Sequence, residues 1–310
     1  MHLQKHQWAS LVCMNLAILL YGSLNQEKLY ALLSPPPQAV AQVPVSPIPV
    51  NVKKLSEPTL SAVAAVAIDQ QSGAVLFQKN AFKIYAPAST TKLMTALVAR
   101  ETYSTGTILT VPDLSSVGGT KIGLKKGEQL SLESLLEGAL IPSGNDAAYT
   151  IAANHPNGLD AFIALMNQKA QVLHLKSTYF ENPTGFDSEV HRTTAFDLAL
   201  LAREVMKDQL LRSIVGTKQT TVSDLTGKQK HVVKNTNQLL QSDSTVVGVK
   251  TGTTEEAGQV LITQFERNGH QVVLVVLGST DRYADTTAIS DWLWSTYSWL
   301  SPEEFLKMEK

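Results

Sequence analysis

Cysteine is almost absent from this sequence: in 310 residues the single Cys13 lies in the most apolar stretch of the N-terminus. That excludes an intrachain disulfide and any cysteine-rich metal site, so the fold must stand on packing alone. His155, His174, His191, His231 and His270 are scattered, with no H-E-x-x-H pair at i, i+4, which argues against a zinc hydrolase of that type. They read as surface or hydrogen-bonded polar residues, and neither a metal nor a cofactor is expected. No sign of charge dominates either: 26 Lys and Arg stand against 27 Asp and Glu, a formal charge of −1. Without a basic bias, no nucleic-acid partner is expected. Internal repeats are absent as well, so a solenoid is not expected.

No long uninterrupted apolar run is present. The most apolar segment runs from Trp8 to Tyr21 after Lys5 and His6, and Ser10 and Asn15 interrupt it. It has signal-peptide length and is short of the roughly 20 residues a spanning helix wants, although extension to Leu24 could just span. Residues 1–24 therefore read as a signal peptide or an N-terminal membrane anchor. Either reading puts the rest of the chain outside the cytoplasm. Residues 25–58 read as a linker, because Ser34 to Pro49 holds six prolines in sixteen residues, a composition for extended spacer rather than helix or inner strand.

The globular part is expected from Thr59. Val63–Ile68 and Ala74–Gln78, separated by Ser72 and Gly73, predict a hairpin. After Pro87, "STTKLMTALVARE" predicts a helix with Leu93, Ala96, Leu97 and Arg100 on one face. "SLESLLEGALIP" predicts a second, capped by Ser131 and ended by Pro142. Ser143, Gly144 and Asn145 then form a turn before "DAAYTIAAN" resumes as helix. Further helices are predicted at 159–175 and 195–207, the latter with Thr194 and Asp197 related as in a capping box. "TVVGVKTGT", "GQVLITQFERNG" and "HQVVLVVLGS" predict three strands, the last two joined as a hairpin. "ADTTAISDWLWSTYSWL" predicts a closing helix, with Trp292, Trp294 and Trp299 as packing residues. Strands at both ends with helices between them predict an α/β (α+β) fold: one antiparallel sheet flanked by helices, plus a helical subdomain.

One stretch joins local structure to chemistry. Ser89 and Lys92 in "APASTTKLMT" lie three apart on one helix face, close enough for an amine to take the hydroxyl proton. At the helix start, Ser89 also meets backbone N–H groups and the positive dipole end. The lysine must be neutral to act, and burial or a second cation can lower its pKa. Lys250 in "VGVKTGTTEEAG" supplies that cation, and with Thr251 it also suits a substrate carboxylate. An isolated S-x-x-K carries little, since about one is expected by chance in a chain of this length. "SLN" at Ser23 to Asn25 shows that S-x-N also recurs by chance. What carries weight is the order: "STTK", then "SGN" in a turn between helices, then "KTG" on a strand.

With these motifs, and with "NPTGFD" and "TTAFDLALLAREVM", the sequence resembles the serine D-alanyl-D-alanine carboxypeptidases, the low-molecular-mass penicillin-binding proteins of peptidase family S11, over about 59–300. The resemblance implies a β-lactamase/DD-peptidase-like fold and a catalytic domain at 59–300, followed by a tail at 301–310. It implies Ser89 as nucleophile, Lys92 as general base and Ser143 as proton relay. It further implies that Asn145 holds the substrate and Lys92, and that Lys250, Thr251 and Gly252 line the strand side of the cleft. The backbone N–H groups of Ser89 and Thr253 would form the oxyanion hole. Arg282, in "STDRYADT", resembles the basic residue some relatives use for the carboxylate. The implied partners are peptidoglycan stem peptides and, as covalent inhibitors, β-lactam antibiotics, with the membrane added if the N-terminal segment is uncleaved.

Many relatives have histidine where this chain has Thr253, and many add a C-terminal β-domain and anchor helix, so any tether here is expected at the N-terminus. The alternative within the fold is a DD-endopeptidase cutting crosslinks. A class A β-lactamase has S-x-x-K, S-D-N and K-T-G but needs a glutamate-bound water for deacylation; here the turn is "SGN", and "ENPTG" lacks the E-x-x-x-N spacing. Glu255 and Glu256 read as exposed acids.

Overall fold

The computed structural model describes residues 46–308 together with 10, 12–16 and 21–22. The N-terminal unit is helical at 12–16 and 21–22, with Cys13 exposed. Most of the segment read as leader or anchor, and most of the proline-rich linker, lie outside the described residues. Among the described residues no helix is long and apolar enough to cross a membrane.

The second unit begins at Pro47. Its frame is a five-stranded antiparallel sheet built from β2 (Ala64–Asp69), β3 (Val75–Lys79), β8 (Val246–Thr254), β9 (Gly258–Arg267) and β10 (His270–Ser279), in the order β3-β2-β10-β9-β8. The predicted β2–β3 hairpin forms, its turn fixed by Asp69 Oδ2 accepting from Ser72 N at 2.6 Å and Ser72 Oγ at 2.7 Å. Between β9 and β10 a two-residue turn holds Asn268 and Gly269 at φ 52° and 78°, the doubly left-handed geometry that matches the twist of antiparallel strands.

Apolar side chains cover both faces of the sheet. Val66 and Ile68 of β2, Val273 and Val275 of β10, and Ile262 of β9 join one core, while Ala65, Ala67, Leu274, Val276 and Leu261 join the other. Alternation by two within wholly apolar runs is what a sheet buried on both sides requires. The larger core is roofed by α1 (Lys92–Thr102), α2 (Leu132–Leu140), α3 (Asn145–Ala153), α4 (Gly158–Val172), α5 (Ala195–Val205) and α6 (Gln209–Val215). The smaller is closed by α8 (Arg282–Thr296), with α7 (Leu239–Ser242) contributing Leu239 and Leu240. Two short ribbons, β4 (Ile108–Thr110) with β5 (Gln129–Ser131) and β6 (Gln219–Ser223) with β7 (Lys230–Lys234), border the helical region.

The predicted caps are present: Ser131 Oγ accepts from Ser134 N, and Thr194 Oγ1 accepts from Asp197 N, both at 3.1 Å. Two elements differ from expectation. Helix α1 is buried all round from Lys92 to Ala99 rather than along one stripe, because it passes through the middle of the helical layer. The closing helix stops at Thr296, and Tyr297–Leu300 turns into a strand, β11, paired antiparallel with β1 (Ile48–Asn51) from the end of the proline-rich stretch. Proline is tolerated there because this is a two-stranded ribbon with an open edge. A final short helix, α9 (Pro302–Met308), follows.

Candidate active site

Ser89 stands half-buried in a 3-10 turn, Ala88–Thr91, which runs directly into α1. The turn is tightly enclosed. Ala88 adopts φ 49°, and its carbonyl accepts from Thr91 Oγ1 at 2.8 Å. A Cβ on Gly185 would lie 1.9 Å from Ala88 O, and one on Gly252 would lie 2.9 Å from Ala88 Cβ and 3.1 Å from Ser89 N. Only glycine lets those two backbones approach the nucleophile turn so closely.

One helical turn later Lys92 is fully buried, with Nζ 2.9 Å from Ser89 Oγ and donating to Thr184 O at 2.6 Å. Burial, and then the neighbouring Lys250 cation, push its pKa well below the ordinary lysine value, while Asp146 pulls the other way. Lys250, buried on β8, is itself lowered to about 7 by burial and by Arg282. Its ammonium donates to Thr251 O at 2.9 Å. Burial and the neighbouring Lys250 favour an uncharged amine on Lys92.

The Ser143–Asn145 turn closes another wall. Ser143 takes φ 70°, and Gly144 N donates to Gly138 O at 3.0 Å, which pulls the turn onto α2. Asn145 Nδ2 donates to Gly118 O at 2.9 Å. Ser143 Oγ and Asn145 Oδ1 are buried without a protein partner, so both hold unused polar capacity in the cleft. The expected bond from Asn145 to Lys92 is not formed, because the amide is turned to Gly118 and Lys92 is occupied by Ser89 and Thr184.

On the strand side, Thr251 Oγ1 is hydrogen-bonded to Thr236 Oγ1, and Thr253 is exposed. Arg282, the first residue of α8, reaches back to this strand: Nη1 donates to Gly252 O at 2.9 Å and to Thr253 Oγ1 at 3.0 Å. A cation therefore stands at the end of the K-T-G segment. Ser89 is thus joined by hydrogen bond or close approach to Lys92 and Gly252, and Arg282 to Gly252 and Thr253. Glu255 and Glu256 are exposed. Among the described residues no cluster of ligands suited to a metal ion is found.

Several contributors carry no signature of their own in sequence. Thr184 acts through its carbonyl and Gly185 through its lack of a side chain. Both lie in "ENPTG", where Asn182 Oδ1 gathers the N–H groups of Thr184, Gly185 and Phe186 at 3.2, 2.7 and 3.1 Å. The Asn-Pro pair is the turn signal that could have marked this loop. Asp146 is buried, accepting from the amides of Ile122, Gly123 and Leu124, and looked like an ordinary acid in a first helical turn.

A family model described as D-alanyl-D-alanine carboxypeptidase matches residues 51–281. A D-alanyl-D-alanine carboxypeptidase of Bacillus subtilis is 36% identical over 254 residues, 79% of this chain and 65% of that protein, so this chain spans just under two thirds of that relative. A D-alanyl-D-alanine carboxypeptidase of Streptomyces sp. strain K15 is 31% identical, covering 77% of this chain and 89% of the relative. A D-alanyl-D-alanine endopeptidase of Pseudomonas aeruginosa is 33% identical, covering 76% and 77%. The crystal structure of the Streptomyces K15 DD-transpeptidase superposes with a TM-score of 0.74 at 31% identity, covering 78% of this chain and all of that one. The fold is accordingly the DD-peptidase fold, and the chain belongs to the serine-type D-alanyl-D-alanine carboxypeptidase family, peptidase family S11.

Proposed function

We propose that this protein removes the terminal D-alanine from peptidoglycan stem peptides through an acyl-enzyme on Ser89. The observation that carries this is the pair itself: a buried, depressed-pKa lysine amine 2.9 Å from a serine hydroxyl at the mouth of a helix. Lys92 takes the hydroxyl proton as Ser89 Oγ attacks the carbonyl between the two D-alanines. The N–H groups of Ser89 and Thr253 face the developing oxyanion. Ser143 passes a proton to the leaving amine, and D-alanine departs. Asn145 holds the substrate's peptide group, while Lys250, Thr251, Gly252 and Arg282 receive the terminal carboxylate. Water then releases the shortened stem.

Penicillin carries the same acyl and carboxylate groups and is expected to label Ser89 covalently. Labelling with a fluorescent penicillin tests the nucleophile: Ser89→Ala should abolish it, and equal labelling would refute the assignment. Digestion of purified peptidoglycan tests the substrate. Free D-alanine released from pentapeptide stems supports the carboxypeptidase, whereas conversion of crosslinked dimers to monomers supports the endopeptidase, a reading kept open by the Pseudomonas relative. Rapid turnover of nitrocefin would instead indicate a β-lactamase. Such substrates place the enzyme in the cell envelope, released after signal cleavage or tethered by residues 1–24, and the mass of the mature protein distinguishes the two.

A further inference from the structure

The loop from Gly118 to Glu128 contributes no residue to the proposed chemistry, yet it fixes the start of α3. Gly118 O accepts from Asn145 Nδ2 at 2.9 Å and Thr120 O accepts from Asn145 N at 2.7 Å. The amides of Ile122, Gly123 and Leu124 donate to the Asp146 carboxylate at 3.1, 2.9 and 3.1 Å. Wherever this loop moves, Asn145 must move with it.

What grips the loop from its other side is a side-chain pair. His231, on β7, and Glu128, at the loop's end, have side chains only 9% and 7% exposed. His231 Nδ1 lies 3.0 Å from Ile122 O, and Nε2 lies 3.2 Å from Glu128 Oε2. Both neighbours are acceptors. A neutral imidazole has one N–H and can serve only one of them, whereas the imidazolium serves both. Glu128 is itself aimed by Lys125 N, which donates to its other oxygen at 3.0 Å.

We propose that the Glu128–His231 pair is a latch that positions the 118–124 loop, and through it Asn145, for acylation of Ser89. This inference rests on the acyl-transfer reading of the cleft. The charged groups around the ring are few. Glu128 faces it from the loop, and Asp146 approaches the same 122–124 backbone from α3. Lys125 has its ammonium turned to Gln229 Oε1, and Lys230 is an exposed neighbour on β7.

The test is saturation kinetics of acylation of the full chain by fluorescent penicillin, which separates the initial binding constant from the acylation rate constant, for wild type, Glu128→Gln, His231→Gln and the double variant. Each single variant is expected to lower the acylation rate constant by about fivefold with little change in the initial binding constant, and the double variant to be no slower than the singles, as for two residues in one network. Unchanged acylation in the variants, or a loss in the double variant equal to the product of the two single losses, would overturn the latch. Should His231→Gln fail to fold, the nearly isosteric Glu128→Gln carries the same test. A wild type that penicillin does not label overturns the acyl-transfer reading instead.

Discussion

Lys92 and Lys250 place two amines in a buried site, and the cost of that arrangement depends on pH. Lys250 has a folded-state pKa of about 7 against an ordinary value of 10.5, with burial the main cause and Arg282 the second. A depressed pKa means that between these values the unfolded chain binds a proton the folded chain does not, so stability rises with pH across that window. The stability is fully present above the unfolded value and lost as pH falls through about 7. Lys250→Met is therefore expected to flatten the rise in Tm between pH 7 and 10.5 and to raise Tm at neutral pH, while weakening substrate turnover. Calorimetry across that range checks it, and an unchanged slope would dismiss Lys250 as its source. Gly185 is the opposite kind of residue, important for what it lacks. At φ 93°, with its Cβ position 1.9 Å from Ala88 O, Gly185→Ala must displace the nucleophile turn. The expected loss is about 1–3 kcal/mol of stability together with most of the penicillin labelling, both measurable on the same preparation. A stable Gly185→Ala variant that labels normally would mean that the turn tolerates movement.

Among elements, the contact between the 3-10 turn and the "ENPTG" loop has its own fastening. His191 Nδ1 accepts from Glu181 N at 3.2 Å, and Nε2 lies 2.8 Å from Thr91 Oγ1, which donates onward to Ala88 O. That order of donors requires a neutral ring with its proton on Nε2. Burial, against the pull of Glu181 and Asp187, lowers the His191 pKa from 6.5 to about 4. Its stabilising contribution is full above 6.5 and disappears as pH falls through about 4. His191→Gln should remove that part of the acid-side loss of Tm and slow acylation, because Ala88 and Ser89 then lose their brace. If the two melting profiles run parallel in acid, the fastening is elsewhere. What was legible in sequence divides along the same line of locality. The β2–β3 turn, the Ser131 and Thr194 caps and the β9–β10 hairpin are written in adjacent residues, and the structure has all of them. The roles of Thr184 O and Gly185 depend on a loop some ninety residues from Ser89 closing against it, and no spacing rule reports that. Helix α1 was read as a one-sided stripe because its own period shows only Leu93, Ala96 and Leu97, whereas its burial comes from neighbours on every side. The triplets at Ser89, Ser143 and Lys250 are visible because their order along the chain is itself a pattern; the Asn145–Lys92 bond is not formed, the Lys92 amine donating to Ser89 Oγ and Thr184 O instead.

At the scale of the whole molecule, the second unit is closed by a strand from each end of its chain. β1 and β11 pair from Ile48↔Leu300 to Asn51↔Tyr297, Val52 N donates to Thr296 O at 2.9 Å, and Trp292 Nε1 donates to Leu55 O at 3.2 Å. Around this ribbon the aromatic residues pack as a group: Trp294 stacks on Trp299 at 5.0 Å, Trp299 on His270 at 4.8 Å, and Trp292 meets Phe77 edge-on at 5.7 Å. Removing residues before Thr59 strips β1 from this assembly but leaves every residue of the proposed site in place. With a handful of exposed backbone bonds lost at about 1 kcal/mol each, and about 2–4 °C per kcal/mol in a domain of this size, Tm should fall by roughly 5–10 °C. The site itself should survive, because Ala88 and α1 belong to the core on one face of the sheet, whereas Trp292, Trp294, Tyr297 and Trp299 pack against the core on the other. A chain starting at residue 59 is accordingly expected to melt earlier than one starting at residue 46 while taking up fluorescent penicillin at a similar rate below its transition. Equal melting would show that the ribbon adds nothing to the unit. A folded short chain that no longer acylates would show that β1 supports the nucleophile across the full thickness of the sheet.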